Sequence, residues 1–126
     1  GLIGYAGDAP AGWISIAPRA EFPRMEKSRI TAPVDDLPVW SVTCFFVAPG
    51  NRGKGIATAL LEAACAFAAA DGATTVEGYP VDPLGERYTN AFAWTGLKRV
   101  FECAGFTEAA RRSEKRPVMR RSLGHG

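Results

Sequence analysis

The sequence predicts an α+β domain in which a mixed, mainly antiparallel sheet surrounds a central strand–helix–strand unit. Three observations support this: an apolar strand-like run over residues 38–49, a helical repeat of apolar residues from Ile56, and a second strand-like run, TTVEGYP. A strand, helix and strand in this order is typical of two parallel strands joined by a crossover helix. The flanking strands are predicted to pair antiparallel, and we expect residues 1–126 to form a single domain with one core.

The first elements are a hairpin and a strand with a distinctive pattern. LIGYA and GWISIAP flank a Gly-Asp turn, as in a β-hairpin. RAEFPRMEKSRI is polar and contains Pro23, so we predict a loop or a short irregular helix. PVWSVTCFFVAP alternates between apolar and polar residues up to Cys44 and is then continuously apolar. This pattern indicates a central strand that is covered on both faces.

The helix that follows carries an apolar face and a narrow polar stripe. Thr58 and Glu62 mark the stripe, and Gly72 is placed to end the helix. The predicted buried face consists of Ile56, Leu60, Ala64 and Phe67.

The last third of the chain predicts a loop, a helix and two strands. VDPLGERYTN is typical of a loop, and AFAWTGLKRVFECAGF predicts a helix that Gly105 closes. TEAARRSEKRPVMRRSL predicts two strands joined by a solvated basic loop, RRSEKR.

Composition argues against several functional classes. A net charge of +2 is too weak to indicate a nucleic-acid partner, and no run is long and apolar enough for a membrane span. The three cysteines form no CxxC pair and lie in apolar segments, which indicates reduced, buried thiols and a cytoplasmic location. The single histidine, His125, lies near the C-terminus, so we expect no metal site.

The stretch PGNRGKGIATALLEAACAF places a glycine-rich, basic turn directly before the predicted helix. The first amides of a helix lack partners within it, and glycines let a ligand approach them. We therefore predict a phosphate or pyrophosphate site. The turn lacks the Ser or Thr of a Walker A loop, and Thr58 replaces the third glycine of a dinucleotide fingerprint. Because Glu77 occupies the place of the ribose-binding acid, a truncated dinucleotide-binding domain stays an alternative.

The turn Arg52-Gly53-Lys54-Gly55-Ile56-Ala57 matches the pattern R/Q-x-x-G-x-G/A. Two further stretches, the strand-like TCFFVAPG before it and FECAGF after it, carry the same resemblance. The sequence thereby resembles the GNAT family of N-acetyltransferases over about residues 4–123. The resemblance implies an acyl-CoA N-acyltransferase-like fold with a central βαβ acyl-CoA-binding unit. It also implies acetyl-CoA as co-substrate and an amine, small or protein-borne, as acceptor.

The resemblance assigns cofactor contacts to three groups of residues. Pantetheine would pair with the strand at Phe45, Phe46 and Val47, and the next strand, residues 74–79, would diverge from it. Thr95 would offer a hydrogen bond in the place of an asparagine of the family. The pyrophosphate would bind at Arg52, Gly53, Lys54, Gly55, Ile56, Ala57 and Thr58.

Two departures from the family pattern concern the acceptor wall and the general acid. The chain starts at the hairpin, whereas the family usually begins with a strand and two helices. Either the chain is a fragment or another chain supplies the acceptor wall, and of these we expect association into a homo-oligomer. Phe101 aligns with a tyrosine that gives a proton in many relatives, and its ring is predicted to pack against the cofactor. Ser41 falls near a glutamate of some relatives and is no base by itself.

Glu77 and Tyr79 are the replacement candidates for catalysis. They lie two residues apart on a predicted strand and so share a face. If that face borders the thioester, they supply a base and an acid; otherwise Glu77 is solvated and Tyr79 is a strand-end aromatic residue. The leading hypothesis is an acetyl-CoA-dependent N-acetyltransferase, and the second is a non-catalytic acyl-CoA-binding or oligomerisation module.

Overall fold

The computed structural model describes residues 2–6, 9–22, 34–35, 38–47, 55–82 and 98–123, which contain six strands, two α-helices and a 3-10 turn. The first half comprises β1 (Leu2–Ala6), β2 (Ala9–Pro18), the 3-10 turn (Arg19–Glu21), β3 (Trp40–Val47) and α1 (Ile56–Ala70). The second half comprises β4 (Thr75–Gly78), α2 (Lys98–Cys103), β5 (Thr107–Ser113) and β6 (Arg116–Ser122).

The strands form one sheet in the order β1-β2-β3-β4-β6-β5. Within the described residues, β3 and β4 are its one parallel pair, and α1 connects them. The predicted α+β class, with a mixed and mainly antiparallel sheet around a βαβ unit, is confirmed. The many antiparallel pairs argue against the doubly wound parallel sheet of a dinucleotide-binding domain.

A bulge interrupts the pairing of β3 with β2. Ser15 pairs with Cys44 but Ile16 pairs with Val42, so Thr43 is an extra residue on β3. A bulge shifts the alternation of faces and bends the strand. The regular alternation predicted up to Cys44 therefore stops at Val42. The face that carries Ser41 and Thr43 is polar there, and the Thr43 hydroxyl donates to Ser15 Oγ at 3.2 Å.

Both helices pack on the same face of the sheet. On β4 and β6 this face carries Val76 and Met119, which are 0% exposed, whereas Val118 belongs to a separate cluster with Tyr79 on the opposite face. Phe22 and Val34 cover that second cluster. The helix-side core consists of Ile14, Ile16, Val42, Val47, Leu60, Leu61, Ala64, Cys65, Ala68, Val76, Phe101, Ala104, Phe106 and Met119.

Helix α1 is buried on one side only. Leu60 and Ala64 are buried as predicted, but Phe67 is 46% exposed and instead touches Trp40 edge-on, with ring centroids 6.2 Å apart. The prediction for Phe67 is wrong because Leu61, Cys65 and Ala68 fill the sheet side of the helix. Gly72 ends α1 as predicted, since it adopts a φ of 92° that favours glycine.

The last third differs from the predictions in two places. Glu114 and Lys115 alone form the turn of the β5–β6 hairpin, so the predicted basic loop RRSEKR lies mostly in strands. Cys103 is exposed on α2, while Cys65 is buried as predicted. Gly105 follows α2 with a φ of 88°, which confirms the predicted closure. Residues 91–97, the first part of the predicted second helix, lie outside the described residues.

Gly78 lies directly against the ring of Phe101. A methyl group there would overlap Cε2 and lie 2.7 Å from Cζ of a ring that is 0% exposed and packs edge-on against Phe106. We expect Gly78→Ala to lower the free energy of unfolding by about 1–3 kcal/mol, because overpacking a core forces its neighbours to shift. Denaturant unfolding measures this change.

The matched control is the double variant Gly78→Ala/Phe101→Leu. Leucine lacks the outer ring atoms, so the double variant should be more stable than the sum of the two single changes predicts. Additive losses would show that the contact does not limit stability.

Candidate active site

The site begins where the β3–β4 ladder ends. Three pairs form this ladder: Trp40 with Val76, Ser41 with Glu77, and Val42 with Gly78. Strand β3 continues to Val47, so its last five residues extend beyond the ladder, and the bulge at Thr43 comes directly after the last pair. An extended ligand can lie along a strand at such a divergence. The predicted pantetheine contacts Phe45, Phe46 and Val47 belong to this part of β3.

The N-terminus of α1 follows the same end of β3. Gly55 caps the helix in the left-handed region, with a φ of 76°, and a methyl group at Gly55 would meet nothing within 4 Å. The first intrahelical bond runs from the Ala59 amide to the Gly55 carbonyl at 3.0 Å, so the amides of Ile56, Ala57 and Thr58 have no acceptor inside the helix.

The first turn of α1 also lacks acidic residues. The helix dipole therefore favours an anion here without local repulsion. Four predicted pyrophosphate contacts, Gly55, Ile56, Ala57 and Thr58, lie together at this end. Arg52, Gly53, Lys54 and Thr95 lie outside the described residues.

Beside the last ladder pair, the face opposite the helices carries a buried hydrogen-bonded group. The Tyr79 hydroxyl donates to Glu77 Oε1 at 2.7 Å and shares a hydrogen bond with Ser41 Oγ at 2.8 Å. Glu77 is 1% exposed and Tyr79 is 3% exposed. The predicted shared face is confirmed, and the alternative of a solvated Glu77 is wrong.

Two arginines compensate the Glu77 charge. Arg120 Nε donates to Glu77 Oε2 at 2.6 Å, and Arg19 Nη1 lies 3.5 Å from Oε1 while donating to the Tyr79 hydroxyl at 3.0 Å. Arg120 also donates to both carboxylate oxygens of Asp35, at 2.9 and 3.0 Å. A buried carboxylate needs such partners because an uncompensated charge in the interior is costly. We call Arg19, Asp35, Ser41, Glu77, Tyr79 and Arg120 the polar cluster.

The environment of Tyr79 keeps its phenol protonated at neutral pH. Burial raises the pKa of Tyr79 far above its ordinary value, and the negative charge of Glu77 raises it further, while the hydrogen bond from Ser41 opposes this shift. Its O–H points to Glu77, so Ser41 and Arg19 serve as donors to the phenol oxygen. The phenol thus holds its proton within a hydrogen bond to the Glu77 carboxylate.

Phe101 lies on the other face of the sheet from the polar cluster. Its ring is fully buried against Gly78 and Phe106, so a contact with a cofactor would require its neighbours to move. That contact stays a prediction.

Sequence reasoning did not find Arg19, Asp35 and Arg120. Arg120 lies opposite Glu77 in the β4–β6 register, and this is the feature that would have identified it as a partner of Glu77. The register can be read only when the strand pairing is known. Arg19 begins the stretch RAEFPRMEKSRI, for which the sequence predicts a loop or a short irregular helix, and Asp35 lies between that stretch and β3.

The described residues hold neither a metal-binding cluster nor a membrane-spanning helix. They contain no group of three or more His, Cys, Asp and Glu side chains that could hold a metal ion. None of the helices in the described part of the chain is long and apolar enough to cross a membrane.

Comparisons with known proteins agree with this geometry. Residues 1–83 match the family model described as Acetyltransferase (GNAT) family. No curated protein matches the chain.

Two solved structures share the fold. One, a protein from Desulfovibrio desulfuricans described as an acetyltransferase of the GNAT family, is 17% identical with a TM-score of 0.63 over 97% of this chain and 67% of its own. The other, described as a phosphinothricin N-acetyltransferase, is 20% identical with a TM-score of 0.57 over 96% of this chain and 66% of its own. The chain thus spans about two thirds of the length of these structures.

The family match covers well over half of the chain, and the sheet order, the divergent parallel pair and the glycine-led helix agree with it. The chain belongs to the acetyltransferase (GNAT) family.

Proposed function

We propose that this chain is an acetyl-CoA-dependent N-acetyltransferase that transfers an acetyl group to an amine. The divergence of β3 from β4 directly beside the glycine-led N-terminus of α1 is the observation that carries the proposal. A long cofactor with an anionic end and an extended arm fits these two adjacent features. The pyrophosphate binds the first amides of α1, with Arg52 and Lys54 adding positive charge, and the pantetheine arm lies along residues 43–47.

The reaction forms one bond and breaks one bond. The neutral amine nitrogen attacks the thioester carbonyl carbon, the C–S bond breaks, and the products are an amide and the free thiol of CoA. One proton must leave the amine and one must reach the departing sulfur. Holding the two reactants together lowers the barrier further.

We assign the proton transfers to Glu77 and Tyr79. Glu77 accepts the proton of the amine, Tyr79 gives its proton to the thiolate, and Glu77 returns a proton to Tyr79 over their 2.7 Å hydrogen bond. Both residues regain their starting state in each cycle. The raised pKa keeps the Tyr79 phenol protonated at neutral pH but also makes it a weaker acid, so the assignment rests on the short hydrogen bond to Glu77 and not on the pKa.

A second candidate is a non-catalytic acyl-CoA-binding module. The hydrogen bonds already made within the polar cluster favour this candidate. Both Glu77 oxygens accept hydrogen bonds from protein groups, and the Tyr79 oxygen has three partners. A substrate would have to displace one of these partners to exchange a proton. The two candidates share the cofactor site and differ in turnover. The expected homo-oligomer and cytoplasmic location stay predictions.

The cofactor site is tested by comparing the two glycines at the ends of α1. Gly55 and Gly72 both have positive φ, and a methyl group at either residue meets nothing within 4 Å. We expect Gly55→Ala to weaken acetyl-CoA binding by about tenfold, or about 1.4 kcal/mol, because it disturbs the amides that face the phosphates. Calorimetric titration measures the Kd.

Gly72→Ala is the matched control, since it imposes similar backbone strain at the opposite end of the helix. It should lower stability to a similar extent and leave the Kd unchanged. Equal affinities of the two variants would contradict a cofactor site at Gly55.

The acid role is tested with Tyr79→Phe, which keeps the ring and removes the proton. We expect kcat for thiol release with an amine acceptor to fall by about 100-fold, as is usual for a positioned acid–base group. Acetyl-CoA affinity should be unchanged, since the polar cluster lies outside the phosphate site. Wild-type protein that binds acetyl-CoA but releases no thiol with a broad set of amines would favour the binding module.

A further inference from the structure

We propose that Arg120 is a positioning residue that orients the Glu77 carboxylate toward Tyr79, and that Asp35 holds Arg120 in place. This inference rests on the proposed roles of Glu77 and Tyr79. Neither Arg120 nor Asp35 needs to touch a substrate for it to hold, since both act through Glu77.

The geometry of Arg120 supports this role. Its Nε donates to Glu77 at 2.6 Å, while Nη1 and Nη2 donate to the two oxygens of Asp35 at 2.9 and 3.0 Å. A guanidinium is planar and rigid, so contacts at both ends fix its orientation. Glu77 and Arg120 are also direct partners in the β4–β6 register, so the backbone holds the two side chains opposite each other.

The consequence appears at the other carboxylate oxygen. Because Arg120 occupies Oε2, the carboxylate plane is set and Oε1 is left for the Tyr79 hydroxyl. Arg19 approaches Oε1 at 3.5 Å, a longer distance that leaves the Tyr79 contact as the close one. If Arg120 is lost, the Glu77 carboxylate can turn toward Arg19. The hydrogen bond between Glu77 and the Tyr79 hydroxyl is then no longer held in this geometry.

Arg120 also contributes to the charge that Glu77 experiences. The groups that face Glu77 are Arg19 from the 3-10 turn, Tyr79 from its own strand segment and Arg120 from β6, and Ser41 on β3 reaches it through the Tyr79 hydroxyl.

A purely structural clamp between strands is the competing explanation, and the chain offers a matched control for it. Arg111 on β5 makes a similar fork, with Nε and Nη2 donating to Glu108 and Nη2 also donating to Asp82 at 3.0 Å. Arg111 makes no contact with Glu77 or Tyr79 among the interactions of the described residues. Arg111→Lys therefore removes a fork without touching the polar cluster.

The test compares Arg120→Lys, Asp35→Asn and Arg111→Lys in the whole chain. Arg120→Lys keeps the charge but loses the fork. Asp35→Asn changes the outer, 50% exposed end of the bridge and leaves Arg120 and Glu77 themselves intact, so it is the second variant if Arg120→Lys does not fold. For both we expect kcat to fall by about tenfold, a fraction of the ~100-fold or more that an acid–base group contributes. Acetyl-CoA affinity should be unchanged, and Arg111→Lys should behave as wild type.

A second readout does not need turnover. The ring-carbon NMR signal of the phenol in ¹³Cζ-labelled tyrosine reports on its hydrogen bond, and Tyr79→Phe identifies the Tyr79 signal among the three tyrosines. We expect this signal to shift in Arg120→Lys and Asp35→Asn and to stay in place in Arg111→Lys.

An unchanged Tyr79 signal in both cluster variants would overturn the positioning role, whether or not the protein is active. Lower stability with an unchanged kcat would overturn it in favour of a structural clamp. Wild-type protein without acetyl-CoA binding would instead overturn the proposed function, and the NMR comparison would still decide the role of Arg120.

Discussion

The short parallel ladder between β3 and β4 determines where everything else in the site can lie. It ends at Val42 and Gly78, and β3 then bulges at Thr43 and continues beyond it. On one face, Gly78 has no side chain because the ring of Phe101 occupies that space. On the other face, the last residues of the ladder carry the polar cluster. The part of β3 that extends beyond the ladder therefore begins beside Glu77, the only buried carboxylate of the described residues.

Glu77 sets the second constraint, since its charge is fully buried. Arg19 and Arg120 compensate it, and Asp35 balances the second arginine, so two positive and two negative groups form one connected set. Such a set is costly if any member is removed, and it ties four parts of the chain together. The same compensation fixes the direction in which the Tyr79 proton points. Stability and the proposed proton transfer thus depend on the same contacts.

The sequence was sufficient to predict the βαβ unit, because an apolar strand, a glycine turn and a helical repeat are all local patterns. It also placed Glu77 and Tyr79 on one face, since strand alternation needs no tertiary information. It could not predict the bulge at Thr43, which depends on pairing with β2. It missed Arg120 because that residue reaches Glu77 only through the β4–β6 register. The prediction that Phe67 is buried was wrong. Its helical spacing is compatible with a core face, but Leu61 and Cys65 pack against the sheet in its place.

The most direct test of a cofactor site between β3 and α1 is isotope-filtered NMR of the labelled protein with unlabelled acetyl-CoA. We expect nuclear Overhauser effects from the pantetheine protons to the amide protons of residues 43–47. The amide signals of residues 55–58 should also move, since these groups would face the pyrophosphate. Binding of acetyl-CoA with effects confined to other strands, and none at residues 43–47 or 55–58, would contradict the placement of the cofactor at the divergence of β3 and β4.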